Sequence, residues 1–300
     1  MPEEDLTTVD IPFLRRYAIN AFGDALGLQP ASRLLPFFTP LLWLPAQIFA
    51  YIAARFDAQV AAYGFDEASR RLLPRFSAPI EIAGVENVPT SGPLVVAGNH
   101  PGSIDAIALA ASVPRKDMKI LAYGIPFVKA LPHASQHFIF SSDELDSPDR
   151  MLSVRVALRH LRSGGALLIF PSGHIGPDPG SLPGARDYLS NWSRSLQLFL
   201  GRVPNVRLQL AFLSHTTLPR FFDHPLARRR NGVARQILAQ YLQTVAQIIL
   251  PRRPLPVPRL SFYSSLIPND LEPAEDPQGA ILEHARRMLD LHIERFGGLP

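Results

Sequence analysis

Two hydrophobic periods alternate along most of this chain. Short apolar, β-branched runs bounded by glycine, proline or charge predict strands at Ile80–Ala83, Leu94–Ala97, Lys119–Ala122, His137–Phe140, Ala166–Phe170, Arg207–Leu213 and Leu260–Tyr263. Between them, apolar residues recur at spacings of three and four. These predict helices at Ser103–Ala111, Ile125–Leu131, Asp149–Arg162, Asp187–Leu200, Val233–Leu250 and Gln278–Phe296. Strands and helices in this order predict an α/β fold, a mixed sheet flanked by helices.

The N-terminal quarter follows a different pattern. Its first ten residues are polar and acidic and do not read as a signal peptide. No charge occurs from Leu34 to Ala54, between Arg33 and Arg55. That length can cross a bilayer, but Pro36, Pro40 and Pro45 argue against an unbroken spanning helix. Beyond Pro45, a helix carrying Phe49, Ile52, Phe56, Val60 and Tyr63 on one face is expected to end at Gly64. A short helix, Asp66 to Leu73, stops at Pro74. With Phe37, Phe38, Trp43 and Phe49 suited to an interface, the favoured reading is an amphipathic or re-entrant membrane-associating segment. The alternative is a helix pair buried against the rest of the chain. The expected division is therefore residues 1–75, helical and membrane-associating, and residues 76–300, the α/β domain.

Composition narrows the function. The chain has 300 residues, 47% of them hydrophobic, so it can bury a sizeable core. Cysteine is absent, which excludes disulfides, cysteine–metal sites and a thiol nucleophile. The formal charge is +4, carried almost wholly by arginine, since lysine occurs only at positions 116, 119 and 129. No aromatic-interleaved basic stripe is present, so the basic excess points to lipid or phosphate rather than nucleic acid. The arginines at 228–230 and 252–253, set among prolines, read either as an exposed loop or as contacts to anionic headgroups.

The candidate chemistry lies where the strand Leu94–Ala97 ends, in Gly98-Asn99-His100-Pro101-Gly102-Ser103-Ile104-Asp105. Pro101-Gly102 marks a turn, and Ser103 is expected to cap the helix that follows. With His100 in the turn and Asp105 in the first helical turn, the two side chains can meet. The carboxylate would then fix the imidazole tautomer and leave the other ring nitrogen free to take a proton from a hydroxyl. This is a base with its orienter, the attacking hydroxyl coming from substrate rather than from an enzyme serine. A helix start beyond the carboxyl end of a strand is also where open α/β sheets bind ligands.

Two further segments support this reading: Gly84-Val85-Glu86-Asn87-Val88-Pro89 upstream and Phe170-Pro171-Ser172-Gly173 downstream. Together with Asn99-His100 and Asp105, they resemble the glycerolipid (lysophosphatidic acid acyltransferase-like) acyltransferase family, which reads roughly G-x-E-N-x-P, N-H-x-x-x-x-D and F-P-E-G-T-R. The resemblance covers about residues 78 to 215. It implies an O-acyltransferase with the same α/β fold, acting at the cytoplasmic face of a membrane as a peripheral or monotopic protein. It further implies an acyl thioester donor, acyl-CoA or acyl-carrier protein as co-substrate, a lipid acceptor, and no bound cofactor or metal. His100 and Asp105 are then catalytic. Asn99, Gly102, Ser103, Phe170, Pro171, Ser172, Gly173 and His174 are expected around the substrates, Ser172 and His174 only as positional equivalents. Amides near Gly102 or Gly173 are candidate oxyanion donors.

The resemblance is incomplete where the family meets the acceptor's phosphate. Ser172 and Ile175 stand where glutamate and arginine are usual, and Ser141, Ser142 and Asp143 follow the strand where an arginine is usual. A neutral Ser172 and the acidic Asp143, Glu144 and Asp146 suit a phosphomonoester poorly. The acceptor therefore need not be glycerol phosphate; Arg150, Arg155 and Arg159 are the cations that could replace the missing charge. The alternative is a catalytically silent, lipid-binding member of the fold. Ser172 is not a nucleophile elbow, because Phe170 and His174 occupy the positions that need glycine. His133 and His137 have a metal-ligand spacing only if they are helical.

Overall fold

The computed structural model describes residues 8–27, 35–142, 148–250, 252–271 and 276–299. Leu34, the side chains of Phe37 and Phe38, and the acidic Asp143, Glu144 and Asp146 lie outside the described residues. Seven strands form one sheet: β1 Glu81–Ala83, β2 Leu94–Gly98, β3 Lys119–Tyr123, β4 Phe138–Ser141, β5 Ala166–Ile169, β6 Arg207–Ser214 and β7 Arg259–Phe262. Their order is β1-β7-β6-β2-β5-β3-β4. From β6 through β4 every pairing is parallel; β7 runs antiparallel to β6 and carries β1 parallel to itself. The mixed α/β sheet expected from the sequence is present, each strand end within one residue of its expected place.

β2 is central, between β6 and β5, and every one of its residues is buried. Its side chains alternate between two cores. Leu94 and Val96 face a layer built by the helices α1 Ile11–Leu26, α2 Leu35–Tyr63, α3 Phe65–Leu72 and α4 Asp105–Ser112. Val95 and Ala97 face the helices Pro148–Arg162, Ser195–Arg202 and Pro277–Phe296. Small residues on α2, Ala50, Ala53 and Ala54, bring that helix against the sheet layer, with Phe56 and Val60 beside them. The N-terminal helices thus share a core with β2.

Three expectations change here. α2 runs without interruption through Pro40 and Pro45. A proline removes one donor, and packing along the rest of the helix outweighs that loss. Among the described residues no helix is long and apolar enough to cross a membrane. α1 carries no counterpart in the sequence reading. Its N-terminus is capped by Asp10, whose carboxylate accepts from the Phe13 amide at 2.9 Å. The expected helix Asp187–Leu200 breaks into Ala185–Tyr188, a 3-10 turn at Leu189–Asn191 and Ser195–Arg202. At the break Trp192 turns extended and stacks on Phe212 in the core, while the Ser193 amide donates to the Pro171 carbonyl at 2.9 Å.

Candidate active site

β2 ends at Gly98, where a Cβ would stand 3.2 Å from Leu109 and 3.5 Å from Phe170. Asn99 then locks the turn to the neighbouring strand. Its amide nitrogen donates to the Leu213 carbonyl at 2.9 Å, and its oxygen accepts from the Leu213 amide at 2.8 Å. The turn itself uses positive φ twice, at Gly102 (86°) and Ser103 (61°). Ser103 is therefore not the helix cap. The helix starts at Asp105, after a residue with no capping side chain, and the exposed Ser103 hydroxyl does not serve it. The Asp105 carboxylate takes the free amides instead, accepting from Gly102 at 2.7 Å and Ala106 at 2.6 Å.

The Asp105 oxygen that meets Gly102 lies 2.6 Å from His100 Nδ1. Asp105 is 5% exposed and His100 25%. Phe170 lies flat against the imidazole, ring centroids 4.4 Å apart and planes 18° from parallel. Carboxylate and aromatic ring together fix the imidazole, and among the described residues Nε2 is the ring nitrogen without a hydrogen-bond partner. Burial pulls the imidazole's pKa down, but the Asp105 charge and hydrogen bond push it up, and the net shift is upward.

His100 and Asn99 line a pocket with Ser172, Gly176, Pro177, Tyr188, Leu189, Trp192 and Leu289. The sequence reading brings Asn99, His100 and Ser172 here and places Phe170 on the histidine. Pro171 is buried and tied to Ser193, whereas His174 leans toward Tyr123, centroids 6.0 Å apart. Gly173 turns with φ 68°, where a Cβ would stand 2.7 Å from Tyr123 Oη. The apolar wall of Leu189, Trp192 and Leu289 was not singled out; the helix break at Trp192 presents it, and no local motif marks it. The Ser172 hydroxyl donates to the His174 carbonyl at 2.8 Å, a turn contact rather than a nucleophile's contact with a base.

The structure bears on two readings of donors and ligands. The amides of Gly102 and Gly173 are not open to an oxyanion: the first donates to Asp105, the second to the Phe170 carbonyl at 2.9 Å. His133 and His137 do not converge. His133 Nδ1 lies 2.8 Å from Asp57 on α2, and His137 stacks on Phe65 at 5.1 Å. Among the described residues no three His, Asp or Glu side chains gather as metal ligands.

A histidine held by a buried carboxylate thus stands at the carboxyl edge of a mostly parallel sheet, with an apolar pocket beside it, an arrangement chemically able to take a proton from a hydroxyl. Residues 79–193 match the family model described as Acyltransferase. Among solved structures the chain is similar to the 1-acyl-sn-glycerophosphate (LPA) acyltransferase PlsC from Thermotoga maritima. The identity is 13%, over 92% of this chain and 97% of that one, with a TM-score of 0.48. A search of curated proteins gave no match.

Proposed function

We propose that this acyltransferase moves a fatty acyl group from an acyl thioester, acyl-CoA or acyl-carrier protein, to a hydroxyl of a lipid-related acceptor. The observation that carries the reading is the 2.6 Å contact between His100 Nδ1 and the buried Asp105 carboxylate. His100 Nε2 removes the acceptor's hydroxyl proton as its oxygen attacks the thioester carbonyl. The tetrahedral centre collapses, the carbon–sulfur bond breaks, and the imidazolium returns its proton to the departing thiolate. Asp105 keeps its hydrogen bond to Nδ1 and holds the ring in place throughout.

The acceptor in this reading is not a phosphomonoester. Ser172 gives its hydroxyl to the backbone, and Ser141 meets the Ser153 hydroxyl at 3.1 Å. Arg155 and Arg159 lie exposed on the outer face of their helix. The described pocket wall carries no lysine or arginine. On α2, Leu41 (73% exposed), Leu44 (54%) and Tyr51 (51%) form one outward stripe, and Arg15 covers Trp43 at 5.4 Å. That stripe supports peripheral association with a membrane surface, in this proposal the cytoplasmic one, where both substrates would be met.

The test is thiol release from long-chain acyl-CoA with a panel of acceptors: glycerol phosphate, lysophosphatidate, neutral lysolipids, and sugar or amino-alcohol lipids. Acceptor-dependent release with a neutral acceptor is expected, and release with lysophosphatidate would overturn the acceptor assignment. No release with acyl-CoA or acyl-carrier protein would favour the catalytically silent lipid-binding reading, which the serine at position 172 motivates.

A further inference from the structure

The helix Gly232–Ile249 packs a row of glutamines inward. Gln236, Gln240, Gln243 and Gln247 are each 5% exposed or less. Buried amides of this kind need partners, and two of them find the same one. Gln236 Nε2 and Gln240 Nε2 each donate to the Pro101 carbonyl at 2.8 Å. Gln236 also bridges to the second motif loop. It donates to the Gly176 carbonyl at 2.9 Å and accepts from the Asp178 amide at 2.9 Å, while the Gly176 amide returns a bond to the His100 carbonyl at 2.8 Å.

The Pro101 carbonyl and the Gly102 amide belong to one rigid peptide plane. The two glutamines hold its oxygen end; its nitrogen end donates to Asp105 at 2.7 Å. Gln240 presses against the same unit, its Oε1 standing 2.8 Å from where a Cβ on Gly102 would lie. We infer that Gln236 and Gln240 are positioning residues for the His100–Asp105 pair, acting through the orientation of the Pro101–Gly102 peptide. Without them the plane can rotate, Asp105 loses one of its donors, and its undivided charge holds a proton on His100 more tightly. Among the described residues the charge acting on His100 is that of Asp105; the neighbouring Phe170 and Tyr188 are neutral at ordinary pH.

The row contains its own control. Gln247 is as buried as its neighbours, but it donates to the Phe76 and Pro254 carbonyls, 2.8 and 2.9 Å away, far along the helix from the turn. The test is an NMR titration of His100 in the full chain, comparing wild type, Gln240→Met, Gln236→Met with Gln240→Met, and Gln247→Met. The double variant is expected to raise the His100 titration midpoint by about half a unit or more. Gln247→Met should lower thermal stability and leave that midpoint in place. The kinetic arm rests on the acyl-transfer reading. There kcat should fall on the order of tenfold to a hundredfold in the double variant, KM staying within about twofold. Each single change should cost less, because one donor still holds the carbonyl. A midpoint raised in the double variant, together with a wild-type protein that transfers no acyl group, would uphold the positioning role while sinking the proposed activity. An unchanged or lowered midpoint in the double variant would overturn the inference. If the double variant does not fold, the same comparison is made with Gln240→Met alone.

Discussion

Two histidines in this molecule meet an aspartate through Nδ1, His100 with Asp105 at 2.6 Å and His133 with Asp57 at 2.8 Å. Each carboxylate is buried, and each accepts two backbone amides besides the imidazole. Asp105 takes Gly102 and Ala106; Asp57 takes His133 and Ala134 at 3.0 and 2.7 Å. The pairs differ in where the chain puts them. His100 follows the carboxyl end of the central strand, stacks on Phe170 and lines a pocket. His133 precedes β4, at the end of the sheet where the parallel strands begin, and its aspartate comes from α2. Hydrogen bonding alone therefore does not separate the two pairs; their surroundings do. Asp57 holds the Ala134–His137 turn and ties the N-terminal helices to it, whereas Asp105 holds a histidine that lines the pocket.

The largest effect that separates the pairs is on turnover. His100→Ala should lower kcat by roughly 10²–10⁴ with the fold intact by circular dichroism, the usual scale for a general base. Next comes stability at the other pair. Asp57→Ala strands buried amides and should cost about 2–4 kcal/mol in urea unfolding.

A pH series sharpens the contrast. His100, with its pKa raised, must be neutral to act, so kcat/KM should fall as pH drops through a midpoint above the ordinary histidine value. A third histidine is expected to make stability depend on pH. His292 is fully buried between Ser261 and Ser214, 2.7 and 2.8 Å from its ring nitrogens. Burial, helped by His215 and Arg259, pushes its pKa down to about 3. Below about pH 6.5 the unfolded chain takes a proton that the folded chain refuses. Stability present above that pH should be lost progressively toward pH 3, and His292→Leu should flatten that part of the melting curve. The smallest effect is His133→Ala, which should cost about 1 kcal/mol and leave turnover within twofold.

The sheet and the contact between His100 and Asp105 were legible because their signals are local. β2 is an uncharged run of small and branched residues, and the turn after it places a histidine and an aspartate within six positions. What was not legible depends on partners distant in sequence. Pro40 and Pro45 break a helix on local rules, yet α2 continues because Ala46, Ala50 and Ala54 seat it against the core. The helix break at Trp192 follows from a ring that stacks on β6 and a backbone amide claimed by Pro171. Four glutamines at helical spacing carry neither charge nor apolar character, and only the fold brings carbonyls to their amides. Asp57 and His133 stand 76 residues apart, beyond any motif.

The most direct test of the account is thiol release from an acyl thioester with acceptor present, measured side by side for wild type, His100→Ala and His133→Ala. Release in wild type and His133→Ala that disappears in His100→Ala is the predicted result. Release that survives in a folded His100→Ala protein, or is lost equally in both variants, would contradict the assignment of His100 as the base and His133 as a brace.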